Sequence, residues 1–350
     1  MPENIAAKFK RAGVVPAVEP KKYDVVAIGR ADTDVIAEVS ERFLQENGIP
    51  PNAQKDCSAD EVRTLQASLG AFQIQAGGAT ANSMAVVSAL GGRAGFFGKV
   101  CDDDKGKVFL NDFRRRSVDV CCPPYSNESD ISSTCLVLLN GKNRSFAYAP
   151  GASEDFSAQD FSGFDFNSTH FCLVEGDLLT GVNTKAKPAV MEAMKQAEGK
   201  CRIAVNLQNI LDWSGHEDVL HYILQHADVV IGNEEEQAAF FAAKKSSPEK
   251  AGQMVITTRG ENGADVSVGN RILHVLAAPP QEFVSSVGAG DAFTAAFLLG
   301  QARGLEVDKC ARLAVRVASK VIEEYGARPT RPLQHYFPDF KSTEEAYARL

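Results

Sequence analysis

The chain has 350 residues, of which 44% are hydrophobic and 23% are charged, and this composition is typical of a globular α/β protein. The formal net charge of -8 and the pI of about 5.4 argue against nucleic acid as the main partner, because phosphate backbones attract basic surfaces. No apolar run approaches the roughly 20 residues that span a membrane, and the N-terminus lacks the pattern of a signal peptide, so we expect no membrane segment and a cytoplasmic protein.

The eight cysteines show no C-x-x-C pair and no zinc-finger spacing. Cys121 and Cys122 are adjacent, and adjacent cysteines rarely form a disulfide. We therefore expect reduced thiols in a reducing compartment and no metal site built from cysteine.

The first predicted element is the strand YDVVAIG at residues 23–29, a short β-branched apolar run that ends in glycine. Helical patterns follow in ERFLQENGIPPN, EVRTLQASLG and ATANSMAVVSALGG, and then come the strand RAGFFGKV and the amphipathic helix KGKVFLNDFRRRSV. The segment SSTCLVLLNGKNRSFAYAP predicts two strands joined by a tight turn at Asn140-Gly141.

Strands and helices alternate in the second half of the chain. The strands THFCLVEG, CRIAVNL, DVVIGN and QMVITTRG are continuous apolar runs, which predicts a mostly parallel, doubly wound sheet covered by helices on both faces. A second hairpin is expected around Gly269-Asn270, and two helices complete the core. Ligands of such sheets bind beyond the carboxyl ends of the strands, so the polar residues that follow the strands are the candidate site.

The stretch EFVSSVGAGDAFTAAFLLG places Gly288, Gly290 and Asp291 just before an apolar helical run. In the structural interpretation, the glycines make a turn and the aspartate favours the positive end of a helix. In the functional interpretation, small residues at a helix N-terminus let an anion approach the free N–H groups, and the carboxylate serves as a base beside that anion.

Two further stretches carry a candidate constellation. In AGGATANS, Gly78 permits close approach of the backbone, and the amide of Asn82 could reach a hydroxyl; a glycine turn with an asparagine cap is the alternative. In GNEEEQ, Asn233 and Glu236 lie three residues apart, where their oxygens suit Mg²⁺ held through water; simple helix capping is the alternative.

The stretches TTRGENGA and GRADTD are also ambiguous on their own. The first has the spacing Thr258-x-Gly260-x-x-Gly263 and is either a turn against a nucleotide or only a loop. The second contains Asp34, whose carboxylate could accept two hydrogen bonds from a vicinal diol, or could simply start a turn.

Together these motifs resemble the ribokinase-like, or PfkB, superfamily of carbohydrate and nucleoside kinases, over residues from about 23 to 332. The resemblance rests on GGATANSMAVVSALGGRAGFFGKV, VGAGDAFTAAFLLG, TTRGENG, the N-x-x-E at 233–236 and the closing YGARP. It implies one ribokinase-like, Rossmann-like kinase domain over residues 1–350. A small β-sheet lid would come from about 30–76 and 118–150, and an N-terminal extension from 1–22.

The resemblance also implies roles for single residues. Asp291 would be the base that takes a proton from a substrate CH₂OH, and the backbone N–H groups of Gly288, Ala289 and Gly290 would bind the transferred phosphoryl group. The other implied residues are Asp34, Gly78, Asn82 and Arg144 for the substrate, Thr258, Gly260, Gly263 and Asn233 for ATP, and Asn233 and Glu236 for Mg²⁺. The partner would be a small sugar or nucleoside, and the chain a monomer or a homodimer paired through the lid.

Two positions depart from the family pattern. Ser285, Ser286 and Val287 stand where relatives have Asp-Thr-x, an aspartate that helps to hold a monovalent cation, so potassium activation is left open. Arg30 and Asp32 stand where relatives have small, amide or apolar residues, which indicates an unusual or more polar substrate if both side chains face the pocket. They might instead pair with each other.

The sequence favours a nucleoside over a free sugar as the substrate. GGATANS and GKNRSFAYAPGAS resemble the adenosine kinase branch, although sugar kinases share these features. A free-sugar kinase of the ribokinase or fructokinase type is the first alternative. A non-catalytic descendant that only binds a nucleotide or sugar is the second, motivated by the change at residues 285–287.

Overall fold

The structure is a computed structural model that describes residues 19–141, 143–181, 185–244 and 249–337. The predicted N-terminal extension at 1–22 lies almost entirely outside these residues. The strands are β1 Tyr23–Ile28, β2 Thr33–Glu38, β3 Gln54–Asp56, β4 Phe72–Ala76, β5 Ala94–Phe97, β6 Asp119–Val120, β7 Thr134–Asn140, β8 Asn143–Ala149, β9 Thr169–Glu175, β10 Arg202–Asn206, β11 Val229–Asn233, β12 Met254–Thr258, β13 Ala264–Val268 and β14 Arg271–Val275. The helices are α1 Glu41–Glu46, α2 Ala59–Ala67, α3 Ala79–Ala89, α4 Asp104–Arg115, α5 Asp177–Thr180, α6 Lys187–Ala197, α7 Glu217–His226, α8 Glu234–Lys244, α9 Ala289–Ala302 and α10 Val307–Val321.

The larger sheet has the order β14-β13-β12-β11-β10-β9-β1-β5-β6 within the described residues. The pairs from β12 to β6 are parallel, and β13 and β14 add an antiparallel hairpin at one edge. The side chains of β1 alternate between two cores, because Val25 and Ala27 pack in one buried cluster while Val26 and Ile28 pack in the other. A strand that is buried on both faces has no polar face, which explains its continuous apolar sequence.

The smaller sheet has the order β3-β8-β7-β2-β4 and begins directly after β1, since the chain passes from one sheet to the other between Ile28 and Thr33. One face packs Val35 and Leu136 against Leu44 of α1 and Val62 of α2. Because side chains alternate across a strand, Asp34 and its neighbours point from the other face into a cleft. The two sheets therefore present polar side chains to a shared cleft.

The predicted fold class is confirmed: the structure is α/β, with a large, mostly parallel sheet and a second β-sheet. Both predicted hairpins are present, as β7–β8 and β13–β14. The sequence pattern missed β3 and β4, which form the two edges of the smaller sheet. Strand β4 reads FQIQA, which alternates apolar and polar residues as a strand does, although its apolar Phe72 and Ile74 are exposed at the edge of the sheet. The lid boundaries at 30–76 and 118–150 stay a prediction.

Two adjacent phenylalanines on α8 test the core. Phe240 is fully buried, with its ring centroid 5.6 Å from that of Trp213, whereas the side chain of Phe241 is 45% exposed. We expect Phe240→Ala to lower the free energy of unfolding by ~3–5 kcal/mol, because it leaves a cavity that the core cannot fill. Phe241→Ala, the matched control, should change it by less than ~1 kcal/mol, as surface substitutions do. Urea unfolding measures both, and equal losses would contradict the assigned packing of α8.

Candidate active site

The cleft lies at the carboxyl end of β1, where two helices begin. Helix α3 begins after Gly78 and helix α9 after Gly288, with positive φ angles of 89° and 80° respectively. A β-carbon at Gly78 would lie 2.3 Å from the carbonyl oxygen of Arg30, so only glycine lets this loop pass beside the end of β1. Both glycine motifs of the sequence therefore meet at one place.

Asp291 lies in the first turn of α9 and contacts α3. Asn82 Nδ2 donates a hydrogen bond of 2.9 Å to Asp291 Oδ2, and Ser83 Oγ donates one of 3.0 Å to the Asp291 carbonyl oxygen. Two candidates that lie 209 residues apart in the sequence are thus in direct contact. Helices α3 and α9 hold the carboxylate and the amide in a fixed relation.

Arg328 is the buried cation of this site. Its Nε donates to Asn82 Oδ1 at 2.9 Å, its Nη2 to the Gly77 carbonyl oxygen at 2.6 Å, and its Nη1 to Asp112 Oδ2 at 2.5 Å. Burial lowers the pKa of Arg328, and the Asp112 carboxylate opposes that effect. The guanidinium therefore connects α4, α3 and the loop that precedes α3.

The carboxyl group of Asp34 lies against the same loop. A β-carbon at Gly77 would lie 2.7 Å from either of its oxygens. Burial raises the pKa of Asp34 to about 7, and the neighbouring Asp32 carboxylate also raises it, while Arg328 and a hydrogen bond with Gln75 lower it. The structure thus places Asp34 beside the Gly77-Gly78 turn, and its substrate role stays a prediction.

Burial also raises the pKa of Asp291 to about 7, against the lowering effects of the Asn82 hydrogen bond and the Arg328 charge. Glu236 contributes a further rise. A carboxyl group whose pKa lies near neutrality is suited to general-base catalysis, because it is partly ionised and still basic enough to take a proton.

Arg30 and Asp32 do not form an ion pair with each other. Arg30 is buried, and its guanidinium pairs with Asp177 at 2.7 Å and with Glu154 at 3.2 Å. Asp32 accepts hydrogen bonds from Ser133 Oγ and from Tyr148 OH through the same oxygen, Oδ1. Both unusual residues therefore have their own partners at the inner end of the cleft.

Glu175, at the end of β9, is a further buried carboxyl group. It accepts hydrogen bonds from Thr80 Oγ1 at 2.7 Å and from the backbone N–H groups of Thr80 and Arg30, both at 3.3 Å. Burial raises the pKa of Glu175 to about 8. Glu175 thereby connects the end of β1 with the start of α3 through hydrogen bonds.

Beyond Asp34, the cleft opens into a cavity of about 890 Å³ between the smaller sheet and the loops at 284–287 and 325–326. Ile36, Val137 and Phe146 form an apolar wall, and Arg144 lies on the same sheet face. Two of the predicted substrate residues, Asp34 and Arg144, therefore line one cavity.

Asn233 and Glu236 form a reciprocal helix cap. Glu236 N donates to Asn233 Oδ1 at 2.9 Å, and Asn233 N donates to Glu236 Oε2 at 2.8 Å. Glu236 Oε1 also accepts from Asn209 N at 2.8 Å. Among the described residues, no group of three or more His, Cys, Asp or Glu side chains is arranged to hold a metal ion. Asn233 Oδ1 and both carboxylate oxygens of Glu236 therefore already accept backbone hydrogen bonds, and only their remaining lone pairs are left to bind a ligand.

The predicted nucleotide residues lie at the adjacent strands. Thr258 ends β12, and Gly260 and Gly263 belong to the turn that leads into β13. Gly263 has φ 90°, and a β-carbon there would lie 1.9 Å from the Val275 carbonyl oxygen, which requires glycine. At the start of α9, by contrast, no atom lies within 4 Å of the place where Gly290 would carry a β-carbon. Gly290 therefore leaves the start of α9 open on that side, while the Ala289 N–H donates to the Ser286 carbonyl oxygen at 3.3 Å.

The chain matches the family described as pfkB family carbohydrate kinase over residues 24–333. The chain belongs to the pfkB family of carbohydrate kinases. It is therefore a phosphotransferase with an alcohol group as acceptor. Its family relatives include ketohexokinase from Mus musculus, 24% identical over 70% of this chain and 84% of that protein. Ribokinase from Bacillus subtilis (strain 168) is 26% identical over 74% of this chain and 86% of that protein.

Solved structures of pfkB-like proteins share the fold. Adenosine kinase from Sinorhizobium meliloti is similar with a TM-score of 0.79 and 28% identity, covering 90% of this chain and 98% of that one. Adenosine kinase from Schistosoma mansoni in complex with 2-fluoroadenosine has a TM-score of 0.75 and 19% identity over 88% of this chain and 97% of that one, which shows the fold alone. The expected superfamily and the ribokinase-like fold are thus confirmed.

Sequence reasoning missed several residues of this pfkB site. Arg328 entered only as part of the closing YGARP, and Asp112 and Glu175 had no predicted role. Each lies far along the chain from the motif it contacts; Arg328, for example, is 246 residues from Asn82. The only available signal was an arginine in an apolar, proline-bearing tail.

No helix in the described parts of this kinase has the length and apolar character required to cross a membrane.

Asp291→Asn should stabilise the protein in a pH-dependent way. The folded-state pKa of Asp291 is raised from 3.8 to about 7, so ionisation costs stability increasingly as pH rises through that window. We expect the variant to exceed the parent by ~2–4 kcal/mol in unfolding free energy at pH 8, and the gain to shrink toward pH 4. Chemical unfolding at several pH values measures it. Asp56→Asn, on exposed strand β3, is the control, and a gain that does not vary with pH would contradict the burial of Asp291.

Proposed function

We propose that the protein is an ATP-dependent, magnesium-requiring kinase that phosphorylates a CH₂OH hydroxyl of a nucleoside, with Asp291 as the base. One observation carries this proposal. Asp291, with its raised pKa, stands at the open N-terminus of α9, hydrogen-bonded to Asn82 and near the cavity that Asp34 lines. A base, an anion-binding helix end and a cavity for the acceptor are the parts that phosphoryl transfer needs.

The residues at the start of α9 suit a transferred phosphoryl group. ATP supplies that group, and Mg²⁺ neutralises its charge. Residues 288–290 carry the N–H groups at the start of α9, and Gly290 leaves room for an anion to approach the backbone. The Ala289 N–H donates to the Ser286 carbonyl oxygen at 3.3 Å, a bond that a phosphoryl oxygen would replace. In our proposal these N–H groups donate to phosphoryl oxygens while Asp291 accepts the hydroxyl proton. Such a donor contributes roughly 10²–10³ in rate, and a positioned base roughly 10²–10⁴.

In the same proposal, Asp34, Gly78 and Asn82 hold the substrate hydroxyls. The Asp34 carboxyl lies beside the Gly77-Gly78 turn, where a diol can donate to both oxygens. The Asn82 amide uses one hydrogen of Nδ2 for Asp291, so the other is free to donate to a substrate oxygen. The hydroxyl that reacts is thereby held close to the base.

The shape of the cavity favours a nucleoside. Its volume of about 890 Å³ and its apolar wall of Ile36, Val137 and Phe146 suit a flat base attached to the sugar. Arg144, on the same wall, offers donors to base nitrogen or oxygen atoms. A free sugar is the second candidate, because relatives of this chain named ketohexokinase and ribokinase act, by their names, on such compounds.

The inner end of the cleft disfavours an acidic substrate. Arg30 is already paired with Glu154 and Asp177, and Asp32 adds a further carboxyl group. The charge of Arg30 is thus already compensated by two carboxyl groups, so a carboxylate or phosphate on the substrate would find no uncompensated cation there. This charge balance supports a neutral nucleoside or sugar.

The remaining ligand contacts follow the family. Thr258, Gly260 and Gly263 would contact the nucleotide from the turn after β12. Asn233 and Glu236 would reach Mg²⁺ through water, because their inner lone pairs are used by the helix cap.

The cysteines are all free thiols, which fits a cytoplasmic protein. The exposed edge strand β4, with Phe72 and Ile74, is compatible with either a monomer or a homodimer paired through the smaller sheet.

A coupled ADP-release assay with ATP and Mg²⁺ tests the function. We expect turnover of adenosine or a related nucleoside, ahead of ribose and fructose, and a fall of roughly 10²–10⁴ in kcat for Asp291→Asn, which removes the base. Asp308→Asn, in the first turn of the neighbouring helix α10, is the matched control and should keep full activity. If no nucleoside or sugar is phosphorylated by folded protein that still binds ATP, the kinase proposal is wrong and the non-catalytic, nucleotide-binding alternative takes its place.

The rate should be the same in potassium chloride and in choline chloride at equal ionic strength. Ser285 replaces the aspartate that charges the cation loop in relatives, and the N–H groups of Val284 and Ser285 both donate to the Ile322 carbonyl oxygen, at 2.9 and 3.2 Å. A loop without that carboxylate lacks the charge that draws a cation. Strong activation of the unmodified protein by potassium would contradict this expectation. Ser285→Asp, which restores the carboxylate, is the comparison variant.

A further inference from the structure

Arg328 uses every face of its guanidinium inside the protein. Its three nitrogens donate to Asn82, Gly77 and Asp112, and its carbon Cζ lies 5.3 and 5.2 Å from the ring centroids of Phe109 and Phe113. A buried arginine that is paired, hydrogen-bonded and stacked has a single orientation. It therefore imposes its orientation on the groups that it contacts.

The contact with Asn82 decides which way that amide points. A guanidinium only donates hydrogen bonds, so the oxygen Oδ1 of Asn82 must face Arg328 and the nitrogen Nδ2 must face away. The carboxylate of Asp291 only accepts, and it receives that nitrogen at 2.9 Å. Turned by 180°, the amide would place an oxygen against the carboxylate and a nitrogen against the guanidinium, and both contacts would be repulsive.

We propose that Arg328 is a positioning residue for catalysis: by holding the Asn82 amide in this orientation, it keeps Asn82 Nδ2 on the Asp291 carboxylate. This inference rests on the proposed function of Asp291 as the base. A second contact extends the effect, because Arg328 Nη2 also holds the Gly77 carbonyl oxygen, in the turn against which Asp34 lies. Arg328 therefore acts on the proposed base, Asp291, through Asn82, and on Asp34, the carboxyl group proposed to bind the substrate, through Gly77.

Two other roles for Arg328 must be separated from positioning. One is general stability, since the residue is buried. The other is long-range electrostatics, since its charge lowers the pKa of both Asp34 and Asp291. The charged groups that act on Asp291 besides Arg328 are Glu236 and Asp34.

Arg116 provides a matched control. It also pairs with Asp112, with Nε 2.9 Å from Oδ2, and it bonds the Pro329 carbonyl oxygen at 2.8 Å, next to Arg328. Arg116→Met removes one positive charge from the same carboxylate and leaves the Arg328 contact with Asn82 in place. Arg328→Met removes the same charge and that contact. Asp112 keeps two arginine partners in either variant, because Arg115 also lies within ion-pair distance, at 3.7 Å.

The first experiment compares the kinetics of these variants on the substrate identified above. We expect Arg328→Met to lower kcat on the order of 100-fold through misplacement of the base, with a smaller change in KM, whereas Arg116→Met should resemble the parent. Arg328→Lys, which restores a charge but not the fork of donors, should recover only part of the loss. A full kcat in Arg328→Met, or an equal loss in Arg116→Met, would overturn the proposal.

A double-mutant cycle then tests whether Arg328 acts through Asn82. If it does, the effect of Arg328→Met on kcat should be at least roughly fivefold smaller in an Asn82→Ala background than in the parent. A purely structural role would give the same fold-loss in both backgrounds, which would refute positioning. Circular dichroism and Tm identify any variant that does not fold, and in that case Arg328→Lys takes its place in the cycle.

A carboxyl ¹³C NMR titration of Asp291 needs no substrate and so separates this inference from the proposed function. Arg328→Met should raise the pKa of Asp291 above that of the parent, and by more than Arg116→Met does, because it removes both a nearby charge and the oriented hydrogen bond. Asp291→Asn assigns the resonance. If the parent is inactive but shows this pattern, the proposed kinase function is rejected and the contact of Arg328 with Asp291 through Asn82 is retained. If the pKa of Asp291 is unchanged in Arg328→Met, that contact itself is rejected.

Discussion

One buried guanidinium connects the elements that meet at the cleft. Arg328 follows α10 in the chain, yet it bonds α4 through Asp112, α3 through Asn82, and the preceding loop through the Gly77 carbonyl oxygen. Burying a charge is costly unless it is paired and hydrogen-bonded, so these groups have one satisfactory arrangement. The pairing of this buried charge therefore helps to fix how the Gly77-Gly78 turn and Asn82 stand relative to Asp291.

The same region carries carboxyl groups that reduce stability. Burial raises the pKa of Asp34 and Asp291 to about 7 and that of Glu175 to about 8, so each is costly to ionise in the folded protein. A chain selected only for stability would place amides there. Groups that titrate near neutrality can exchange protons during a reaction, which makes their cost understandable at an active site.

Local sequence patterns predicted what local physics determines. The apolar strands β1 and β9 to β12, their helices and the glycine-marked starts of α3 and α9 follow from periodicity and turn chemistry. The edge strand β3 is a three-residue polar segment without a pattern and could not be found in this way, whereas β4 carries the apolar–polar alternation FQIQA, which was available as a signal. The site divides along the same line: Asp291 and Asn82 lie in recognisable motifs, but the contact between them and the role of Arg328 depend on tertiary distances.

Arg30 and Asp32, one of the two expected departures from the family pattern, lie at one end of the cleft and have their own partners. Arg30 pairs with Glu154 and Asp177, which lie 124 and 147 residues further along the chain, after β8 and β9. Replacing Arg30 by a neutral residue would leave Glu154 buried without this ion-pair partner, so these charges act as a unit. The end that would receive the phosphoryl group keeps the Gly-Ala-Gly-Asp motif. The expected departures therefore lie both beside the end of β1, at Arg30 and Asp32, and beside the Gly-Ala-Gly-Asp motif, at residues 285–287, so their effects on acceptor binding and on turnover can be measured separately.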